Sequence, residues 1–182
     1  MSKHSEKELV NLFKNGSNQD YVFNILVGEY KTRLYWHIRK ILISHDDTDD
    51  VLQNTFIKAW KGLADFREDS NLFTWLYRIA TNEALSFLRQ KKRGSFVPWA
   101  GVEKSLSETL VSDQYFNGDD IQIKLQKAIL TLPEKQRIVF NMKYFDEMKY
   151  EEMAEILETS VGALKASYHH AVKKIEKYMN KD

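Results

Sequence analysis

The chain has no cysteine among its 182 residues. Disulfides and thiolate metal sites are therefore excluded, and a reducing cytoplasm is compatible with that composition. Proline occurs only twice and glycine seven times. So few chain-breakers disfavour a turn-rich β fold and suit helices joined by short connections. No apolar run approaches the roughly 18 residues that a membrane-crossing helix needs, and Met1 to Gly16 is too polar for the apolar segment of a secretory leader. A net charge of +1 supplies no dominant field of either sign. What is present is 43% hydrophobic residues, enough for a buried core and too many for global disorder. The length suits one medium domain or two small ones.

The small net charge conceals segregation. His45 to Asp50 reads HDDTDD, with four acids in six positions. Arg78 to Arg93 carries five basic residues against Glu83, and Glu103 to Asp120 carries five acids against Lys104. Lys165 to Lys181 carries five lysines against Glu176. The order is acidic, basic, acidic, basic. Basic blocks on helices suit phosphate contacts, although either block alone fits a solvated helix face equally well.

Periodicity predicts helices throughout. Ser5-x-x-Glu8 has the pattern of a capping box, and Gly16 is placed to stop the first helix. A second helix is expected from about Ser17 to Ile43, with the apolar stripe Val22, Leu26, Tyr30, Leu34, Ile38 and Ile41. Gly28 weakens it locally. A third should run from about Asp47 to Leu63, its acids at the favourable end of the helix dipole. Its stripe is Val51, Thr55, Ala59 and Leu63, with Phe56 and Trp60 one step round. Ser70 is expected to cap a fourth helix reaching about Lys92, which buries Leu72, Leu76, Ile79, Ala80, Ala84 and Phe87. Gly94 to Gly118 has no sustained period and reads as an interdomain linker.

After the linker, Asp119 and Asp120 should cap a helix through Leu130, and Pro133 opens one over Glu134 to Tyr144. Tyr150–Leu157, a break at Glu158-Thr159-Ser160, and a helix from Val161 towards Met179 have the layout of a helix-turn-helix. With Val161, Leu164, Tyr168, Val172 and Ile175 turned inward, Gly162, Lys165, Ala166, His169, His170 and Lys173 lie outward or on the flanks. Small and basic residues at an exposed helix N-terminus can enter a major groove.

Two motifs then carry a resemblance. The first is Asp49-Asp50-Val51-Leu52-Gln53-Asn54-Thr55-Phe56-Ile57-Lys58-Ala59-Trp60, with Phe66-Arg67 and Thr74-Trp75-Leu76-Tyr77-Arg78-Ile79-Ala80-Thr81-Asn82. The second is Leu132-Pro133-Glu134-Lys135-Gln136-Arg137, with Tyr150 to Leu157 and Ser160 to Lys165. In this order they resemble the bacterial RNA polymerase sigma factors of the sigma-70 family, extracytoplasmic-function (ECF) group, over roughly Asp20 to Met179. The implied fold is all-α. A region 2 helical bundle (1–93) and a region 4 helix-turn-helix domain (119–182) are joined by a flexible linker (94–118).

The resemblance implies partners and roles. Asp50, Gln53, Asn54, Phe56 and Trp60 would dock on the clamp helices of the polymerase's largest subunit, with the flap of the second-largest as a further contact. Phe56 and Trp60 are also open to a plain core role. Phe66, Arg67, Asn71, Trp75, Tyr77, Arg78 and Arg89 would meet the minus-ten element and help open it, since unpaired bases need stacking surfaces and positive charge. Trp75 and Tyr77 cannot share one narrow face, so at least one of them packs. Ser160, Lys165, Ala166, His169, His170 and Lys173 would meet the minus-thirty-five element. Ser167 and His170 stand where many relatives have arginine, and Glu158 where the turn often has glycine, so arginine's bidentate reading of guanine is missing there. Members of the group are often held inactive by an anti-sigma protein. No cofactor, metal, small-molecule substrate or catalytic residue is implied.

Two other readings compete. An autonomous helix-turn-helix regulator would explain Tyr150 to Ile175 but leave the first motif idle. A metal nuclease built on His45 to Asp50 would need carboxylates converging from several elements. Here they crowd one helix start.

Overall fold

The computed structural model describes residues 5–16, 18–67, 71–94 and 120–180. Among them are eight helices and no strand: α1 Glu6–Lys14, α2 Gln19–Leu42, α3 His45–Leu63, α4 Leu72–Gly94, α5 Asp120–Leu130, α6 Glu134–Tyr144, α7 Tyr150–Leu157 and α8 Val161–Met179. The linker expectation for Gly94 to Gly118 lies almost entirely outside the described residues, as do the expected caps Ser70 and Asp119.

Local signals account for most helix ends. The capping box of α1 is present: the Ser5 N–H donates to Glu8 Oε2 at 2.7 Å and the Glu8 N–H to Ser5 Oγ at 3.3 Å. Gly16 stops the chain with φ +72°, a conformation that favours glycine. α3 begins two residues earlier than its acids suggest, because the Ser44 hydroxyl accepts from the Asp47 N–H at 3.3 Å. α4 is capped by Asn71, whose side-chain oxygen accepts from the Thr74 N–H at 2.7 Å. α2 runs unbroken past Gly28. Tertiary packing of its apolar stripe outweighs the roughly 1 kcal/mol that an interior glycine costs.

In the first domain α2, α3 and α4 pack on one another, with α1 laid across α2 and α3. The α2 stripe Val22, Leu26, Tyr30, Leu34, Ile38 and Ile41 is wholly buried, as are Val51, Thr55, Ala59 and Leu63 of α3. In α4 Leu72, Leu76, Ala80, Ala84 and Leu88 are buried, while Ile79 and Phe87 are only half-buried. The second domain has a smaller core of its own around Ile129, Leu132, Phe140, Ala171 and Ile175.

The two domains are packed together. α6 lies against α2, and α7 lies along α4. The main apolar core therefore continues from the first domain into Ile138, Val139, Met142, Met148, Met153, Ile156 and Leu164. A polar cluster pins the contact. The His37 ring nitrogens reach Asp146 Oδ2 at 3.2 Å and Thr81 Oγ1 at 2.9 Å, and Lys40 pairs with the same carboxylate. Burial would raise the pKa of Asp146, but its bonds and charge pairing with His37 and Lys40 outweigh that and hold it below the usual carboxylate value. The Asn141 amide donates to the Lys40 carbonyl at 3.2 Å.

Candidate polymerase and nucleic-acid interface

The face of α3 turned away from the core opens on a groove of about 510 Å³ between α2 and α3. Phe56 and Trp60 form its floor, with Phe23 and Val27 of α2 opposite. Both rings are half-buried and held edge-on: Trp60 meets Phe13 at 5.1 Å and Phe23 at 5.0 Å, and Phe56 meets Phe23 at 6.2 Å. They are thus core at one edge and groove wall at the other. Gln53 lines the groove, and Asp50 and Asn54 are exposed on the same helix. Sequence reasoning missed Ile57, which lines the groove 46% exposed. An isoleucine lying off the buried stripe of α3 was the available signal. Lys31, Asp49 and Lys61 add charge at the rim.

The acids of His45 to Asp50 have ordinary partners. Asp46 and Asp47 occupy the first turn of α3, and Lys91 of α4 pairs with Asp47 at 2.6 Å. His45 approaches Asp49 at 3.6 Å. Among the described residues no group of three or more His, Asp or Glu side chains is placed to hold a metal ion.

The residues expected to meet the minus-ten element divide into two sets. Arg67, Asn71 and Arg89 are exposed, and Trp75 and Arg78 are half-buried. Phe66 and Tyr77 are in the core, 7% and 2% exposed. Their rings pack on protein here rather than standing at the surface. Phe66 packs at 5.1 Å on Trp75, which itself lies over Gly62; a Cβ there would stand 3.1 Å from the indole. Tyr77 is the packing partner that the periodicity demanded. Its ring lies 4.7 Å from His37 and 4.2 Å from Phe73, and its hydroxyl donates to the Arg33 carbonyl at 3.4 Å. Burial, with the nearby charge of Asp146, pushes its pKa up to about 12. Asn71 caps α4, a duty for which asparagine is a preferred residue type, one position beyond the expected Ser70.

The helix-turn-helix forms as expected. α7 ends at Glu158, which adopts the left-handed conformation at φ 50°, ψ 48°. Ser160 caps α8 by accepting from the Ala163 N–H at 3.2 Å. Leu164, Ala171 and Ile175 turn inward. Gly162, Lys165, Ala166, His169, His170 and Lys173 are all exposed along one side. Lys165 is held 5.7 Å over the Tyr150 ring at the start of α7. Ser167 is half-buried and faces α4, across a cleft of about 530 Å³ that Leu85, Arg89 and Ala163 also line.

Comparison with known families matches these two units separately. A model described as "Sigma-70 region 2" matches residues 26–94, spanning most of α2 together with α3 and α4. A second, "Sigma-70, region 4", matches 122–175, from α5 to α8. The chain belongs to the ECF sigma factors of the sigma-70 family. The ECF RNA polymerase sigma factor SigW of Bacillus subtilis is 31% identical, over 95% of this chain and 96% of that protein. The RNA polymerase sigma-H factor of Pseudomonas aeruginosa is 28% identical, over 97% and 95% respectively. Among solved structures, CnrH in complex with the cytosolic domain of CnrY has a TM-score of 0.71 at 25% identity, covering 97% of this chain and 98% of that one. A sigma factor RpoE, in complex with the anti-sigma factor NepR from Bartonella quintana, shares the fold at a TM-score of 0.66 and 24% identity, over 88% of this chain and 98% of that one.

Membership gives the groove and the helix-turn-helix one context. Sigma factors are non-enzymatic initiation factors that direct RNA polymerase to promoters, and this ECF factor has both of the family's helical regions. No described helix is long and apolar enough to cross a membrane.

Proposed function

We propose that this sigma factor seats core RNA polymerase on the α3 groove and reads two promoter elements through separate helices. The observation that carries the reading is a division of labour within one chain. An aromatic groove on α3, open to solvent at one edge, and an exposed basic flank on α8 occur together. Exposed apolar side chains ringed by polar groups are the usual anchors of a protein interface. In the groove Phe56, Ile57 and Trp60 supply the apolar surface, with Asp50, Gln53 and Asn54 as polar neighbours.

Arg67, Asn71, Trp75, Arg78 and Arg89 form the minus-ten surface and assist strand opening; Phe66 and Tyr77 support it from beneath. Lys165, Ala166, His169, His170 and Lys173 present to the minus-thirty-five element, with Ser160 fixing the start of their helix. The polymerase's flap is the partner for the second domain, and domain limits of 1–93 and 119–182 fit this arrangement. The factor works in the cytoplasm without a catalytic step of its own. The solved complexes of CnrH and RpoE support an anti-sigma partner for this chain as well.

Runoff transcription with core polymerase on a promoter library tests the reading and returns the recognised sequence. Specific promoter binding is expected only when core polymerase is present. Tight specific binding by the purified chain alone would instead identify an autonomous operator-binding regulator.

A further inference from the structure

The rings that wall the α3 groove are held in place from a part of the chain that the region 2 match leaves out. That match begins at residue 26, after both Phe13 and Phe23. Yet four rings from three helices meet at the groove: Phe13 of α1, Phe23 of α2, and Phe56 and Trp60 of α3. Trp60 stands edge-on to both early phenylalanines, at interplanar angles of 88° to Phe13 and 87° to Phe23. Phe13 and Phe23 are themselves in contact at 6.3 Å. Phe23 lines the groove; Phe13 does not, and is only 2% exposed. Phe13 therefore acts on a docked partner only through the indole it braces. α1 carries this brace on few contacts. It has nine residues, and isolated helices shorter than about 12–15 residues are marginal in water. Leu9, Val10 and Phe13 bury it against the bundle. The Tyr30 hydroxyl donates to the Glu6 carboxylate at its first turn, and the Gln19 side-chain amide donates to the Phe13 carbonyl at 2.9 Å in its last.

We infer that Phe13 is a positioning residue for polymerase docking: it holds the Trp60 indole as a wall of the groove, which makes α1 a working part of the docking site. This rests on the assignment of the α3 groove to core polymerase. Burial alone does not ask for a ring at position 13, since Leu9 and Val10 bury the rest of α1 with aliphatic side chains. Orientation does. A half-buried tryptophan braced by one ring can turn about its side-chain torsions, whereas a second edge contact from another helix selects one orientation. An anchor that meets its partner in one orientation binds with a Kd raised by the inverse of the fraction of molecules that hold it.

The test uses the full chain, with thermal melts, anisotropy titration against core polymerase and fluorine NMR of protein labelled with 5-fluorotryptophan. Phe13→Leu keeps an apolar filler and removes the ring; Phe13→Met carries the same test if the leucine variant fails to fold. Ile38→Val is the control, trimming the same core further along α2, past the groove. Phe13→Leu should raise the Kd for core polymerase about fivefold, as when one molecule in about five still holds the indole in place. Ile38→Val should bind as the wild type does. The chain has four tryptophans, and the resonance lost in Trp60→Phe identifies Trp60. That resonance should shift or broaden in Phe13→Leu and stay in place in Ile38→Val. Wild-type affinity in the ring-less variant overturns the inference, as does an unmoved Trp60 resonance. So does an equal loss of affinity in Ile38→Val. Failure of the underlying groove reading looks different: Ile57→Ala then also binds polymerase as tightly as the wild type.

Discussion

Trp60 and Ile57 line the same groove but should fail in different ways when truncated. Trp60 is held by two edge-on ring contacts and is half-buried. Each such contact contributes about 0.5–1.5 kcal/mol beyond area burial. Full burial of a tryptophan would put its loss at about 3–5 kcal/mol. Half-burial places Trp60→Ala near 2–3 kcal/mol, a fall in Tm of roughly 4–12 °C for a chain of this size. Ile57 is 46% exposed. Its truncation to Ala should cost below about 1 kcal/mol in the free protein. As a central anchor in a polymerase complex, however, it would lose about 2 kcal/mol of binding, close to thirtyfold in Kd. The assay pairs thermal melts with fluorescence-anisotropy titration of labelled factor against core polymerase. The expected result is a split: Ile57→Ala melts with the wild type and binds weakly, whereas Trp60→Ala is weakened in both. Unchanged polymerase affinity for Ile57→Ala, with its melt intact, would refute the groove as the docking surface.

Three further outcomes are expected. Tyr77→Phe should flatten the alkaline limb of stability: the unfolded phenol ionises near pH 10 while the folded one holds its proton to about 12. Wild-type stability therefore falls by about 2–3 kcal/mol more than the variant's as pH rises through that window. Parallel denaturant-derived curves for the two proteins would contradict the burial argument. Glu158→Gly should stabilise the turn by about 0.5–1 kcal/mol, since a left-handed residue with a Cβ is strained by about 1–2 kcal/mol and glycine's extra unfolded entropy offsets only part of it; a lower Tm would argue against strain. Lys165→Ala with His170→Ala should reduce runoff transcription about tenfold or more, at the roughly 1–3 kcal/mol typical of base-edge contacts. Co-purification with core polymerase should be unchanged, and an equal loss of both would move these residues out of the DNA surface.

The α2 stripe shows how far periodicity reaches. Val22, Leu26, Tyr30, Leu34, Ile38 and Ile41 are all buried because one helix presents one face to one core, and that face is written at intervals of three and four. The outward flank of α8 was legible for the same reason. Caps were legible at Ser5 and Ser160, where the side chain accepts from the N–H three residues on; α4 uses the same bond from Asn71, one position beyond the serine that the sequence pointed to. The minus-ten set was only half legible. Residue type said that Phe66, Trp75 and Tyr77 could stack on bases, but not which of them were already stacked on protein. His37 gave no signal at all, because its partners Thr81 and Asp146 lie 44 and 109 positions away.

The sequence by itself determined an all-helical chain, the helix-turn-helix and its exposed flank, and membership of the ECF sigma factors. Each of these rests on interactions between residues within a few positions of one another, or on motifs that can be read along the chain. Only the tertiary structure decided which aromatics are walls and which are core, and that the second domain packs on the first, with α6 against α2 and α7 along α4. Those outcomes depend on contacts between residues far apart in the chain. Side chains of the same chemical type are equally able to face water, DNA or one another until packing assigns them.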